Sequence, residues 1–225
     1  MLTLHHWPLD PFSRQVRLAL AEKRAQFHLV EERAFAPSEA LMAMTPEGRV
    51  PVLVDTTGGG RVVVPDARPA LEYLEDLIPT TPLLPGGPPE RAEARRLAVW
   101  IDRGFDADVN AYLLHEKLEK RLARLGAPDP SALRAGLDHL RWRLDRLAPL
   151  CEHRNYLAGD RYSHADIAAA SHLSCLDYVA TVPWDEAPAV KEWYAKVKSR
   201  PSFRPLLADV LPGMPPPPHY ANPDF

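Results

Sequence analysis

Asp10, Pro11, Phe12 and Ser13 stand where an extended run, residues 2–7, gives way to a helix-forming segment, and their types could do chemistry. A serine hydroxyl in a first helical turn can donate to an anionic nucleophile, at the end of the helix dipole that favours negative charge. A carboxylate at the same place opposes a neighbouring anion and cannot form a mixed disulfide, so Asp10 reads as an N-cap. A second pattern is "GRVPVL", residues 48–53, in which Pro51 follows a polar helix-ending stretch and precedes a β-branched strand. That placement fits either an ordinary trans X-Pro turn or a cis bend.

Other groupings carry folding rather than chemistry. Ser163 and Asp166 in "YSHADIAAA" form a Ser-x-x-Asp capping box ahead of an apolar run. "HEKLE", residues 115–119, has Glu119 where a zinc-protease helix needs its second histidine. His5 and His6 are adjacent in a strand and point to opposite faces, which hinders shared metal ligation. Two cysteines, Cys151 and Cys175, build neither a disulfide framework nor a four-cysteine zinc site. No metal is expected.

Residues 1–78 alternate strand and helix patterns in the order β, α, β, a helical or irregular link around 37–45, β, β, α. "TTGGG" between two β-branched runs predicts a hairpin, and Pro69 suits the first turn of the following helix. The proline- and glycine-rich residues 79–89 read as a linker. Residues 90–211 read as helical, with segments over 90–124, 131–152, 163–180, 188–200 and 202–210. Residues 212–225 contain four consecutive prolines and are expected to be extended, with no core left to bury His219, Tyr220 and Phe225. Tyr73 and Tyr112 are read as packing residues.

At 225 residues and 46% hydrophobic content the chain can bury a sizeable core. Its formal charge is -3, with 8 basic and 11 acidic residues in 1–85 and 19 of each in 86–225, which argues against nucleic acid as an obligatory partner. No segment approaches the roughly 20 apolar residues of a membrane span, so no membrane insertion is expected and a cytoplasmic location is.

The β-α-β, "VPVL" and β-α unit, the proline linker, the helical second half and the Ser163–Asp166 box together resemble the glutathione transferase superfamily over roughly residues 1–210. Within it, "DPFSRQVRLALAEK" is similar to the first helix of cysteine- and serine-type members. "GRVPVL" resembles the cis-proline loop of thioredoxin-like domains, which implies backbone pairing of Val50 with a peptide-like ligand. The resemblance implies an α+β chain: a thioredoxin-like N-terminal domain followed by an all-α domain. It also implies that Asp10 replaces a catalytic cysteine, that Ser13 is the nearest hydroxyl, and that Val50 and Pro51 could still pair with glutathione. Asp66 and Ala67 then stand where members keep a Glu-Ser pair for the γ-glutamyl carboxylate. Losing that hydroxyl removes a charge-assisted bond of about 1.5–3 kcal/mol. Weak glutathione binding, no required cofactor and a non-catalytic chain are what this implies.

Residues 1–23 together with "PPPPHYANPDF" further resemble the alphaproteobacterial FtsZ-binding, cell-division branch of the superfamily, over essentially the whole chain. This implies a homodimer that binds FtsZ filaments at the division site and engages septal cell-wall synthesis machinery through its tail. Pro216, Pro217, His219, Tyr220, Asn222, Pro223, Asp224 and Phe225 would then be partner contacts, since a polyproline segment is already extended and aromatics can anchor it. Arg91, Arg95 and Arg103 fall along one side of the fourth helix, while Lys117, Lys120, Arg121 and Arg124 gather near its end; either group could dock an acidic protein. Two alternatives stand beside this: a divergent glutathione transferase using Ser13, and an RNA-polymerase-binding adaptor, because Asp-x-Phe/Tyr-Ser-x-Gln-Val-Arg also resembles stringent starvation proteins.

Overall fold

Leu2, Leu4 and His6 are buried on one face of β1 (Leu2–His6), one of the two inner strands of a four-stranded sheet. The computed structural model describes residues 1–33 and 36–222. The chain forms two units, Met1–Leu83 and Leu84–Phe225.

In the first unit, α1 (Pro11–Glu22) connects β1 to β2 (Phe27–Glu31), followed by α2 (Glu39–Met44), β3 (Val52–Asp55), β4 (Val62–Pro65) and α3 (Ala67–Leu77). The strand order is β2-β1-β3-β4. β1 and β2 pair in parallel, as a helical crossover requires, and the other two pairs are antiparallel. Val52 and Val54 of β3 pack with Leu41 of α2 on one face. The link expected as helical or irregular is helical: Ser38 caps α2 by accepting from the Leu41 N–H at 3.1 Å.

The C-terminal ends of α1 and α3 are tied by one buried cation. Lys23 Nζ donates to the carbonyls of Ile78 at 2.9 Å and Thr81 at 2.8 Å, and lies 2.7 Å from Glu75 Oε1. The ammonium therefore caps α3 where the helix dipole is negative. Asp55 accepts from the Tyr73 hydroxyl at 2.7 Å. Burial alone would raise the Asp55 pKa, but hydrogen bonds from Tyr73 and Thr57 hold it below the usual range.

In the second unit, α4 (Pro88–Gly104) runs on through a π-helical turn (Phe105–Asn110), α5 (Ala111–Leu114), a second π-helical turn (His115–Glu119) and α6 (Lys120–Leu122). The helix expected over 90–124 is thus one continuous run with two widened turns. Gly104 stands at the first of them because the Arg143 guanidinium crosses there; a Cβ on Gly104 would lie 2.1 Å from Arg143 Cζ. The run is followed by α7 (Pro130–His153), α8 (His164–Tyr178), α9 (Pro188–Lys198) and α10 (Arg204–Leu207). Every residue of α8 is buried. Its N-terminus carries the expected capping box, with Asp166 accepting from Ser163 N–H at 3.0 Å, Leu157 N–H at 2.9 Å and Trp193 Nε1–H at 3.0 Å. Burial pushes the Asp166 carboxyl up to about 6, against these donors.

Replacing Lys23 by methionine takes away the cation that faces the buried Glu75 carboxylate, which also accepts from the Leu83 N–H at 3.0 Å. We expect Lys23→Met to destabilise the first unit by about 3–5 kcal/mol in urea unfolding, and Lys23→Met with Glu75→Leu to recover much of that loss. Equal destabilisation by the single and double variants would refute the pairing.

Candidate functional site

His5 pairs with Val52, and Val52 with Pro65, in one row across the sheet. The turn leaving β1, the loop entering β3 and the junction of β4 with α3 therefore meet at one sheet end. They bring together Asp10 and Ser13, Val50 and Pro51, and Asp66 and Ala67.

Asp10 sits at the N-cap of α1 and accepts from the Ser13 N–H at 2.6 Å. Pro11 follows in the first turn, where no N–H is required. The Ser13 hydroxyl is fully buried and accepts from the Trp7 N–H at 3.3 Å. Arg14, equally buried, donates from Nε to the Pro8 carbonyl at 2.7 Å. Carboxylate, hydroxyl and guanidinium thus fold the 7–10 turn onto the helix. In this arrangement Ser13 is a structural acceptor.

The Val50–Pro51 peptide is cis. Val50 precedes the first ladder pair, so its amide and carbonyl lie outside the sheet's hydrogen bonding, while the Pro51 carbonyl accepts from the Asp66 N–H at 3.0 Å. Asp66 has φ 69, a left-handed conformation unusual for a non-glycine residue, and gives α3 no side-chain cap. Ala67 is buried at the first helical position. Among Asp10, Ser13, Val50, Pro51, Asp66 and Ala67, this end of the sheet has main-chain groups suited to a carboxylate or a peptide, while the one hydroxyl, that of Ser13, is buried.

Arg91 donates from Nη1 to the Leu84 carbonyl at 3.0 Å and Arg95 is half-buried, whereas Arg103 is exposed. His5 Nδ1 lies 2.7 Å from Glu32 Oε1, and His115 Nδ1 lies 2.9 Å from Glu119 Oε2, so both histidines pair with carboxylates. Among the described residues no cluster of His, Cys, Asp and Glu could hold a metal ion. Burial, with Asp166 and Glu152 adding to it, pushes the Cys151 thiol up to about 12, which makes it a poor nucleophile. Among the described residues, no helix is long and apolar enough to cross a membrane.

The tail requires a correction. Tyr220, expected to have no core, is fully buried: its ring meets Tyr178 edge-on at 5.2 Å and its hydroxyl donates to the Leu206 carbonyl at 3.2 Å. As placed, it is a core residue and not an aromatic anchor available to a partner. His219 Nε2 lies 2.8 Å from Asp177 Oδ1, and its carbonyl accepts from Lys198 Nζ at 3.2 Å. Further back, the Tyr178 hydroxyl donates to the Met214 carbonyl at 2.6 Å. Pro216, Pro217 and His219 are half-exposed and Asn222 is exposed. Pro223, Asp224 and Phe225 lie outside the described residues. Sequence reasoning missed the receiving site because its parts, Tyr178, Asp177 and Lys198, lie on two helices and look like ordinary helical positions; a lysine inside an apolar helix face was the one available sign.

Two family models match the chain: the glutathione S-transferase N-terminal domain over residues 11–77 and the C-terminal domain over residues 112–201. FtsZ-localized protein A of Caulobacter vibrioides is 52% identical over 223 residues, covering 99% of this chain and 98% of that protein. The structure of FzlA from C. crescentus superposes with a TM-score of 0.97 at 51% identity, covering 100% of this chain and 99% of that one. A glutathione S-transferase from Rhodospirillum rubrum F11 superposes with a TM-score of 0.95 at 47% identity and complete coverage of both chains.

If Ser13 serves the turn, Ser13→Ala should lower stability by about 1–2 kcal/mol by leaving the Trp7 amide unpaired. Thermal melting, read beside any thiol-transfer activity the wild type shows, separates the roles: lost activity with an unchanged melting temperature would make Ser13 catalytic.

Proposed function

Because the chain belongs to the glutathione S-transferase family yet the one hydroxyl among those six sheet-end residues, that of Ser13, is buried, we propose that it is a non-catalytic, FtsZ-associated cell-division protein. The observation that carries this reading is the end-to-end similarity to FtsZ-localized protein A, which extends through the proline-rich terminus. The buried Ser13, the capping role of Asp10 and the methyl of Ala67 support it, since efficient thiol chemistry needs an activator within reach of the sulfur.

In this reading the protein acts at the division site as a homodimer. Two copies of one filament-binding face can crosslink FtsZ polymers through effective concentration without strong single contacts. The terminus engages the septal cell-wall synthesis machinery, with its presented part narrowed to Pro216, Pro217, Asn222 and residues 223–225, while Tyr220 secures the base. Arg103 is the most exposed of the three α4 arginines proposed for docking.

A residual glutathione site is the second reading. The cis bend at Pro51, the uncapped start of α3 and the left-handed Asp66 keep the main-chain part of a peptide-binding arrangement. With no hydroxyl on Ala67, its affinity is expected to be weak.

Sedimentation tests the favoured reading: FtsZ polymers should carry this chain into the pellet, and its absence under several nucleotide conditions would remove the assignment. Calorimetry with glutathione should show little heat at millimolar ligand, whereas clear micromolar binding would restore the enzyme. The two ends of the tail should also separate. Deleting residues 223–225 should leave the melting temperature and co-pelleting unchanged while abolishing the downstream septal effect. Deleting 212–225 removes Tyr220 from the core and should destabilise by about 3–5 kcal/mol; an equally stable long truncation would refute the buried base.

A further inference from the structure

Between the end of the α4–α6 run, the C-terminus of α8 and the tail lies an open groove of about 880 Å³ that no step above uses. Lys117, Lys120, Arg121 and Arg124 line it, with Glu116 the single carboxylate, and Met214 and Pro215–Pro217 form its opposite wall. We propose that this groove is a docking site for an acidic, extended peptide segment of a partner protein.

The cations are held by the fold rather than scattered over a solvated helix. Lys117 Nζ donates to the carbonyls of Val179 at 3.0 Å and Ala180 at 3.3 Å, so it caps α8 and stands at the groove floor. Glu116 Oε2 accepts from Lys120 Nζ at 2.8 Å and from the Asp129 N–H at 2.6 Å, and its charge is thereby committed within the protein. Arg121 gives Nη2 to the Gly213 carbonyl at 2.8 Å, one of a guanidinium's five N–H donors, and so joins the basic side to the tail wall. The wall itself is tied down, because the Tyr178 hydroxyl bonds Met214 and Tyr220 is buried beyond the prolines.

Arg124 follows α6 at φ 56, with the Leu125 N–H bonding the Lys120 carbonyl at 2.8 Å, the left-handed helix-ending position that Arg24 also takes after α1 and where glycine is the unstrained choice. This turn sets the exposed Arg124 side chain on the groove's rim.

The chemistry selects the occupant. With Lys120 paired to Glu116 and Lys117 bonded to the α8 carbonyls, carboxylates answer chiefly the exposed Arg121 and Arg124, and partly exposed prolines with Met214 and exposed Leu122 and Leu125 nearby offer apolar contact to alternate side chains of an extended segment. Nucleic acid fits less well: the chain carries a formal charge of -3, and Tyr178, the groove's aromatic residue, is buried at 3% exposure and so offers no face on which bases stack. The inference does not depend on FtsZ being the partner.

The test is fluorescence anisotropy with the full-length chain and a labelled ten-residue peptide of alternating glutamate and leucine, against a lysine-leucine control and a single-stranded oligonucleotide. Saturable binding of the acidic peptide is expected, weakened about tenfold between about 50 mM and 200 mM salt. Arg121→Glu and Arg124→Gly should each weaken it by about tenfold or more. Arg124→Gly also relieves the left-handed strain, so its melting temperature should not fall, and lost binding cannot then be ascribed to misfolding. Absence of saturation at millimolar peptide, affinity unchanged in both variants, or tighter binding of the oligonucleotide would overturn the proposal. FtsZ co-pelleting by the same variants is scored separately: filament binding that survives the loss of peptide binding leaves the groove proposal standing and only assigns the filament to another face.

Discussion

A helix with no solvent face must find internal partners for every polar group it carries, and the second unit is organised around that demand. All of α8 is buried, and the alanines and serines of its sequence let neighbouring helices approach closely. Three of its polar residues gather other segments. Asp166 holds the 157–163 approach and Trp193; His172 lies 2.8 Å from Asn110 and 3.3 Å from Asp102; Asp177 receives Trp184 and His219. Leaving any of these unpaired in a low-dielectric interior costs more than the hydrogen bond contributes when made, so the surrounding elements are positioned as much by polar satisfaction as by apolar contact.

The contrast with the first unit is instructive. There the sheet supplies the scaffold, and buried polar contacts act at its margins: Lys23 closes the far ends of α1 and α3, while Asp10, Ser13 and Arg14 knit the turn after β1. Residue types that suggest catalysis in isolation are accounted for by these duties. A carboxylate at a helix N-cap, a serine accepting from an amide and a half-buried thiol pushed up to about 12 are folding or inert groups.

Much of this was readable from spacing. Period-two and period-four patterns placed both units, Pro51 marked its cis bend, and the Ser-x-x-Asp box located the start of the buried helix. Two features were not. The first widened turn of the α4–α6 run begins where Arg143 crosses Gly104, a contact between residues 39 positions apart that no local pattern encodes. The tail was misread because proline content predicts backbone extension and says nothing of whether an extended segment lies against a surface; the distant Tyr178, Asp177 and Lys198 decide that. Burial pushes Lys198 down to about 8 against the pull of Asp177, a strain tolerated beneath the segment it secures.

Fixing a stretch at both ends also fixes its length. Met214 and the His219–Tyr220 pair are moored to separate places, and the prolines between them can neither coil to absorb an extra residue nor stretch to bridge a missing one. Insertions and deletions within this span would throw the moorings out of step, whereas substitutions that keep the count can be accommodated. Kindred proteins should therefore keep the count of residues between Met214 and Tyr220 even where the residues themselves change.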